Sequence, residues 1–379
     1  MGVPFILPSG LLEEITVNPK NITVKETGGR KYPFATGNDL LGFDVFAAAF
    51  YMITRYEEYL PFVADEYGRF KAVDSLQYKL GHIKEPVVDI WLNELKEKLG
   101  ITGNTMPQRF APLFTYDVDT AYAFKGRETS VTLGHYAKDI LSGKFSAFKE
   151  RRRVLKKQQP DPYDTYDETI QAVKKAGFQP LFFFLMGNRN KYNRNLEHDS
   201  ALQTALLRKI SSRVETGIHP SYYTMNDAAL LQEEIQRLEN CTGKRAVKSR
   251  QHYLRVQFPV TYRQLAAAGI QEEYSMGFAE TPGFRAGTCF PFYFFDLEKN
   301  VTTTLKIYPV TFMEGSFAED LRLTPEAALP VMLQLLETVK KLNGFFCCIW
   351  HNHTLSNHGM WKGWKAVHDE VLKAAALSV

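Results

Sequence analysis

Ala111-Pro-Leu-Phe-Thr-Tyr-Asp-Val-Asp119 is an apolar run that ends in two carboxylates at positions i and i+2. Side chains alternate between faces along an extended chain, so Asp117 and Asp119 share one face at a strand terminus. Two like charges this close are costly unless a cation or a proton lies between them. Taken alone, the pair also suits a turn that caps the following helix. Two later segments repeat the pattern. Val214-Glu-Thr-Gly-Ile-His219 ends a second apolar run in a histidine, and Phe345-Phe-Cys-Cys-Ile-Trp-His-Asn-His353 ends the last one in two. Alternation places His351 and His353 on one face, with Asn352 opposite. Strand ends bearing Asp-x-Asp, His and His-x-His suit a divalent metal with nitrogen and oxygen ligands, zinc first among them.

Outward from these segments, further apolar runs lie at 178–186, 246–253 and 305–312. Helix signals alternate with them. Thr165-x-x-Glu168 is a capping box that predicts a helix over Tyr166–Lys175. Tyr262–Ala268 reads as a helix stopped by Gly269, and Thr324-Pro325-Glu326 as an N-cap with proline at the first helical position. Such alternation from residue 111 onward argues for a parallel sheet, either an open doubly wound fold or a (β/α) barrel. In both, ligands bind at the C-terminal ends of the strands, where these polar residues fall. The first hundred residues differ. They show helices over 44–60 and 86–99, the latter ending at Gly100, a turn at Gly68, and no chemistry-bearing cluster. Asn104–Pro112 reads as the linker.

The chain has 379 residues, long enough for roughly two domains. With 45% hydrophobic and 23% charged residues it has the composition of a globular protein, and aromatics at 13% suit both core and sugar-stacking surfaces. A net charge of +4 is too small to argue for a nucleic-acid partner. Cys241, Cys289, Cys347 and Cys348 form no CxxC pair, so buried free thiols are expected, with Cys347 and Cys348 on opposite sides of a strand. The stretch MGVPFILPSG lacks the features of a signal peptide, and the longest apolar runs are far short of a transmembrane span. A cytoplasmic location is the expectation for the chain as it stands. The basic stretch 142–160 reads as a solvated surface helix, or as a positive rim for an anionic polymer.

The order Asp-x-Asp, then Pro180-Leu-Phe-Phe-Phe-Leu-Met-Gly187, then Gly-Ile-His219, resembles the polysaccharide deacetylase family (carbohydrate esterase family 4, with its NodB-homology domain). The resemblance continues through Ser249-Arg-Gln-His-Tyr-Leu-Arg255, through the helix and strand of 263–278, and to Ile349-Trp-His-Asn352. It covers residues 111–379 and is nearest to a bacterial branch with a Thr-His-Asp-Val-Asp-like first motif. The resemblance implies a distorted (β/α)7 barrel, preceded by a smaller α/β N-terminal domain of unassigned function over residues 1–105. It also implies a metal-dependent hydrolase that removes N-acetyl groups from an amino sugar in a glycan. Asp117 would be the general base, Asp119 and His219 metal ligands, Arg250 the partner orienting the base, and His351 the general acid.

Two positions depart from the family pattern. The family's second motif places another histidine four residues after the first, where this chain has Tyr223. Its first motif often has adjacent aspartates, where this chain has Asp-Val-Asp. Tyr223, His252 and His353 are the candidates for the third metal ligand, and Arg285 for substrate binding; Arg255 and Arg285 rival Arg250. Two other readings remain: a deacetylase-like domain that binds or scaffolds carbohydrate without catalysis, and a glycosyltransferase whose Asp-x-Asp holds a metal and a diphosphate.

Overall fold

The computed structural model describes residues 3–101 and 109–377. The first of these stretches pairs strands β1 (Val24–Thr27) and β2 (Arg30–Pro33) as an antiparallel hairpin, followed by helices α1 (Val45–Thr54), α2 (Leu76–Lys79) and α3 (Val87–Lys98). These elements bury Phe43, Val45, Met52, Val87 and Trp91 in one cluster. Each large apolar side chain buried this way contributes about 1.5–3 kcal/mol. Asp44 caps α1 by accepting from the Ala47 amide. The helix expected over 44–60 stops at Thr54. Arg55 turns into the left-handed region (φ 54) and the chain continues as a 3-10 turn over Tyr56–Tyr59. The break has a cause in packing: the Arg55 guanidinium points inward and binds the Glu58 carboxylate and the Arg285 carbonyl.

From residue 111 the chain alternates strands and helices. The elements are β3 (Ala111–Val118), α4 (Thr129–Leu141), α5 (Phe145–Leu155), α6 (Tyr166–Lys175), β4 (Leu181–Leu185), α7 (Ala201–Ser211), β5 (Glu215–His219) and α8 (Ala228–Thr242). They continue with β6 (Lys248–Ser249), α9 (Val260–Ala267), β7 (Glu272–Met276), β8 (Phe292–Asp296), β9 (Val301–Pro309) and β10 (Phe312–Met313). The chain ends with α10 (Pro325–Lys341), β11 (Phe345–His351) and α11 (Trp364–Ala376). Among the described residues the strands form one sheet in the order β10-β11-β3-β4-β5-β6-β7-β9-β8. All neighbours run parallel except β8, which pairs antiparallel with β9.

The sheet is curled. Its distant members β9 and β10 are separated in the chain only by Val310 and Thr311, and the Thr311 amide donates to Cys347 of β11. Inside the curl, Leu181 and Phe183 of β4, Tyr274 of β7, Val310, and Cys347 and Ile349 of β11 form a common cluster. The opposite faces of the same strands carry Phe114, Tyr116, Phe182, Phe184, Phe346 and Cys348, which pack with Ile170, Leu207, Ile235, Leu336 and Val371 of the surrounding helices. The predicted opposition of Cys347 and Cys348 holds, and all four cysteines are free. Gly217 in β5 is required by this inner packing. A Cβ there would lie 2.6 Å from the Phe183 ring and 2.7 Å from the Lys248 carbonyl.

Several local expectations change. Helix α6 has the predicted bounds, but Thr165 does not cap it; its hydroxyl donates to the Asn352 carbonyl at 2.9 Å, joining the helix to the loop after β11. The run 246–253 yields only the two-residue β6, because the chain leaves the sheet to place His252 and then enters the left-handed region at Tyr253 (φ 62). The strand β8 was not anticipated. Residues 104–108 of the expected linker lie outside the described residues, and Ala111 and Pro112 already belong to β3. The basic stretch is largely the surface helix α5, with Arg151 turned inward to pair with Asp139. No helix among the described residues is long and apolar enough to cross a membrane.

Candidate metal and catalytic centre

The C-terminal ends of β3, β5 and β11, with the loop after β6, converge on a cavity of about 390 Å³ lined by Asp117, Asp119, His219, His252, His351 and His353. Strand register explains the meeting. Asp117 is level with His351 on β11, and His219 is level with Leu185 on β4, itself next to β3. Alternation then turns these side chains into the curl, over the apolar plug formed by Phe183 and Ile349.

Three donor atoms face one another at this end. His219 Nε2 lies 3.1 Å from His252 Nδ1 and 3.2 Å from Asp119 Oδ1, and His252 Nδ1 lies 3.4 Å from the same oxygen. The far nitrogen of each ring decides the tautomer. His219 Nδ1 is 2.6 Å from the Arg250 carbonyl, and His252 Nε2 is 3.1 Å from the Tyr192 carbonyl. A carbonyl only accepts, so those nitrogens carry the hydrogens and the inward nitrogens present lone pairs. Asp119 Oδ1 is buried and has no hydrogen-bond partner. Two imidazole lone pairs and a carboxylate oxygen aimed at one point need a positive charge between them. Tetrahedral zinc with bonds of ~2.0–2.1 Å spaces its ligand atoms about 3.4 Å apart, close to this triangle, and backbone carbonyls on the outer nitrogens are the usual support for ligating histidines. The residues therefore fit a divalent metal held by Asp119, His219 and His252.

The charges here are strongly coupled. Burial would raise the Asp119 carboxyl, but the His252, His219 and His351 rings outweigh it and hold it well below the ordinary carboxylate value. Burial opposes charge on His219, yet Asp117 and Asp119 raise its pKa. Burial wins at His252, pushed down to about 4.

The flanking groups differ in kind. Asp117 Oδ1 accepts from the Arg250 guanidinium at 2.9 Å, and its Oδ2 lies 3.9 Å from His219 Nε2. Arg250 is fully buried and fixed on all sides, donating also to Thr115 Oγ1 (2.7 Å) and the Tyr274 carbonyl (2.9 Å), with its guanidinium 4.6 Å above the Phe183 ring. On the other side, His351 Nδ1 lies 2.8 Å from Glu314 Oε1, which also accepts from the His351 amide and the Thr354 hydroxyl. Burial disfavours a charged His351, but Glu314 outweighs it and lifts the pKa to about 10. His351 Nε2 stays free towards the cavity, 3.6 Å from Asp119 Oδ2.

Not every sequence-predicted residue arrives here. Tyr223 is half exposed, packs on Tyr222 and Tyr192, and does not line the cavity; a short turn over Tyr222–Asn226 carries it away. His353 lines the cavity beside His351, ring centroids 5.2 Å apart, outside the converging three. Arg285 does not line the cavity. It is buried against Glu58 and the Gly277 carbonyl, where it joins the N-terminal region to the sheet. Arg255 instead donates to the Tyr67 and Tyr222 carbonyls. Sequence reading missed Glu314, although it closes an apolar run as Asp117, His219 and His351 do. It also missed Tyr67 and Arg69, which line the cavity from the N-terminal region, and Tyr192, Tyr253 and Trp361.

A family of unknown function, DUF7033, matches residues 2–102. No curated protein matches the chain. Among solved structures, a putative polysaccharide deacetylase from Mycobacterium smegmatis is similar at 14% identity and a TM-score of 0.46, covering 72% of this chain and 86% of that one. A mutant of a CE4 family pseudoenzyme with restored enzymatic activity matches at 10% identity and a TM-score of 0.36, covering 71% and 64%. A de-N-acetylase from Aggregatibacter actinomycetemcomitans matches at 11% identity and a TM-score of 0.24, covering 44% of this chain and 87% of that one.

Proposed function

We propose that this chain is a metal-dependent hydrolase that cleaves the C–N bond of an N-acetylated amino sugar in a glycan. The observation that carries the reading is the convergence of His219 Nε2, His252 Nδ1 and the unpartnered Asp119 Oδ1, flanked by the Asp117 carboxylate and by His351 on Glu314. With His252 supplying the third donor, the tyrosine at position 223 does not leave the set incomplete. A divalent cation held there, zinc as the leading choice, would polarise the acetamide carbonyl and acidify a bound water.

The chain's own groups supply the rest. Arg250 pins Asp117 Oδ1, which leaves Oδ2 free to take a proton from the attacking water as general base. Glu314 keeps His351 charged, and its free Nε2–H is positioned to protonate the departing amine. Tyr67, Tyr192, Tyr253 and Trp361 line the cavity and offer ring faces to the apolar sides of a sugar. We also read β9 and β10 as one interrupted strand, giving seven parallel positions around a distorted barrel, with the N-terminal region to residue 105 as a separate domain.

The test is acetate release from N-acetylated oligosaccharides by the full chain, together with elemental analysis. Stoichiometric metal and acetate release that Asp117→Asn abolishes support the reading. A protein that holds no transition metal, even on titration, overturns it and leaves a carbohydrate-binding role. Nucleotide-sugar binding without acetate release points to a glycosyltransferase.

A further inference from the structure

His252 occupies an unusual piece of backbone. The two residues after it, Tyr253 (φ 62) and Leu254 (φ 52), are both in the left-handed region without being glycine. L side chains rarely adopt that conformation, and it persists only where the surroundings impose it. On one side the barrel imposes it: the His252 amide donates to the Pro220 carbonyl and its ring to the Tyr192 carbonyl, while Arg255 donates to the Tyr222 carbonyl and lies 3.7 Å over the Tyr222 ring.

The other side is held by the N-terminal region. Arg69 donates to the Tyr253 carbonyl at 3.0 Å, and Arg255 donates to the Tyr67 carbonyl at 2.6 Å. The Tyr67 and Tyr253 rings stack with centroids 5.0 Å apart and planes 24° from parallel. The segment that makes these contacts is itself tied together by hydrogen bonds. Asp65 accepts from the Tyr67 and Arg69 amides and from Arg69 Nε, and Gly68 (φ 79) closes the turn with its amide on the Asp65 carbonyl. Tyr67 and Arg69 also line the cavity.

We propose that the Asp65–Arg69 turn is a positioning element of the metal centre, holding the loop that presents His252, so that the N-terminal region completes the site it adjoins. The inference rests on the metal-centre reading above. It gives the region matched by a family of unknown function a definite task. A turn fixed to residues 253 and 255 at once stops His252 from swinging out when the left-handed pair relaxes.

The test measures zinc affinity of the full chain by competition with a chromophoric chelator, with cobalt spectra as a second readout. Arg69→Ala and Tyr67→Ala are expected to weaken zinc binding about tenfold or more, the scale of losing a group that orients a metal ligand. Their cobalt spectra should move towards that of His252→Ala. Tyr67→Phe, which keeps the stacked ring, should retain wild-type affinity. Arg30→Ala, at the Glu85 and Glu94 ion pairs, should leave the metal untouched even if it lowers stability. Hydrogen exchange over residues 251–256 of the metal-free protein provides a readout independent of the ion, and Arg69→Ala should accelerate it. Wild-type zinc affinity and wild-type exchange in Arg69→Ala would overturn the proposal. If the wild type binds no zinc, the hydrolase reading fails, while accelerated exchange in Arg69→Ala still supports the hold on the loop.

Discussion

Among the described residues, two of the clusters of buried charge are built on opposite principles. Where the N-terminal region meets the sheet, Glu58 is enclosed by Arg55 and Arg285. Its Oε1 accepts from Arg55 Nε at 2.7 Å and from Arg285 Nε at 2.9 Å, its Oε2 accepts from the second nitrogen of Arg285, and the remaining Arg55 donors reach Glu57 and the Arg285 carbonyl. In the cavity, Asp119, His219 and His252 direct acceptors at one another and leave Asp119 Oδ1 unmatched. A buried charge network that satisfies itself is structural; one that is short of a cation has a place reserved for a ligand. The contrast also explains why Arg285 is spent on Glu58 and lies outside the cavity lining, although its segment looked equally polar in sequence.

The contrast can be broken experimentally. The largest expected effect is on chemistry: Asp117→Asn should lower acetate release by about 10²–10⁴-fold while zinc content stays at the wild-type level, because the proposal makes this residue the base and not a metal ligand. A matching loss of zinc would merge the base into the metal site and sink the assignment of roles. At the other cluster, Glu58→Ala strands two buried guanidinium groups and should cost about 3–5 kcal/mol in a denaturant titration. Zinc stoichiometry below the unfolding transition should not change; if it falls, the two clusters are not independent.

A smaller effect tests the electrostatics of His351. Its pKa is raised by Glu314, so the charged form persists up to about 10. The sign follows: the stabilisation is complete below the unfolded value of ~6.5 and is lost as pH rises towards 10. Glu314→Gln should therefore pull the alkaline limb of the pH–rate profile down towards the ordinary histidine range. An unmoved limb would show that a group other than His351 is the acid. Glu58 has the opposite signature. Burial raises its carboxyl, but Arg285 and Arg55 outweigh it and hold it below its ordinary value, so its contribution is present above ~4.5 and fades on acidification. The smallest effect is expected at Tyr223. Tyr223→Ala should leave zinc affinity unchanged and stability within about 0.5 kcal/mol, as for other exposed positions. A marked loss of zinc there would restore it as a ligand.

Much of the centre is legible from one chain because strand ends advertise themselves. Apolar alternation that stops at Asp117, His219 and His351 places each residue at the same edge of a parallel sheet, and register follows from burial of one face. The same logic extends to Glu314, which sits just past the end of its short strand and was overlooked for that reason. His252 could be named as a candidate but not chosen over Tyr223 or His353, since it lies in a loop whose path depends on contacts far away in sequence. Thr165 shows the converse: its local signal for a capping box is clear, yet its hydroxyl is used by a loop 187 residues later.

Taken alone, the sequence determined the alternating strand–helix plan, the free thiols and the sheet edge where Asp117, Asp119 and His219 meet. These follow from local periodicity and from the cost of placing charge at the end of an apolar run. Tertiary structure alone decided which histidine completes the triangle, which arginine faces Asp117, that Arg285 packs against Glu58, and that the N-terminal turn reaches the loop after β6. Those choices depend on side chains meeting across the curl of the sheet and across the boundary with the N-terminal region, and spacing along the chain carries no record of them.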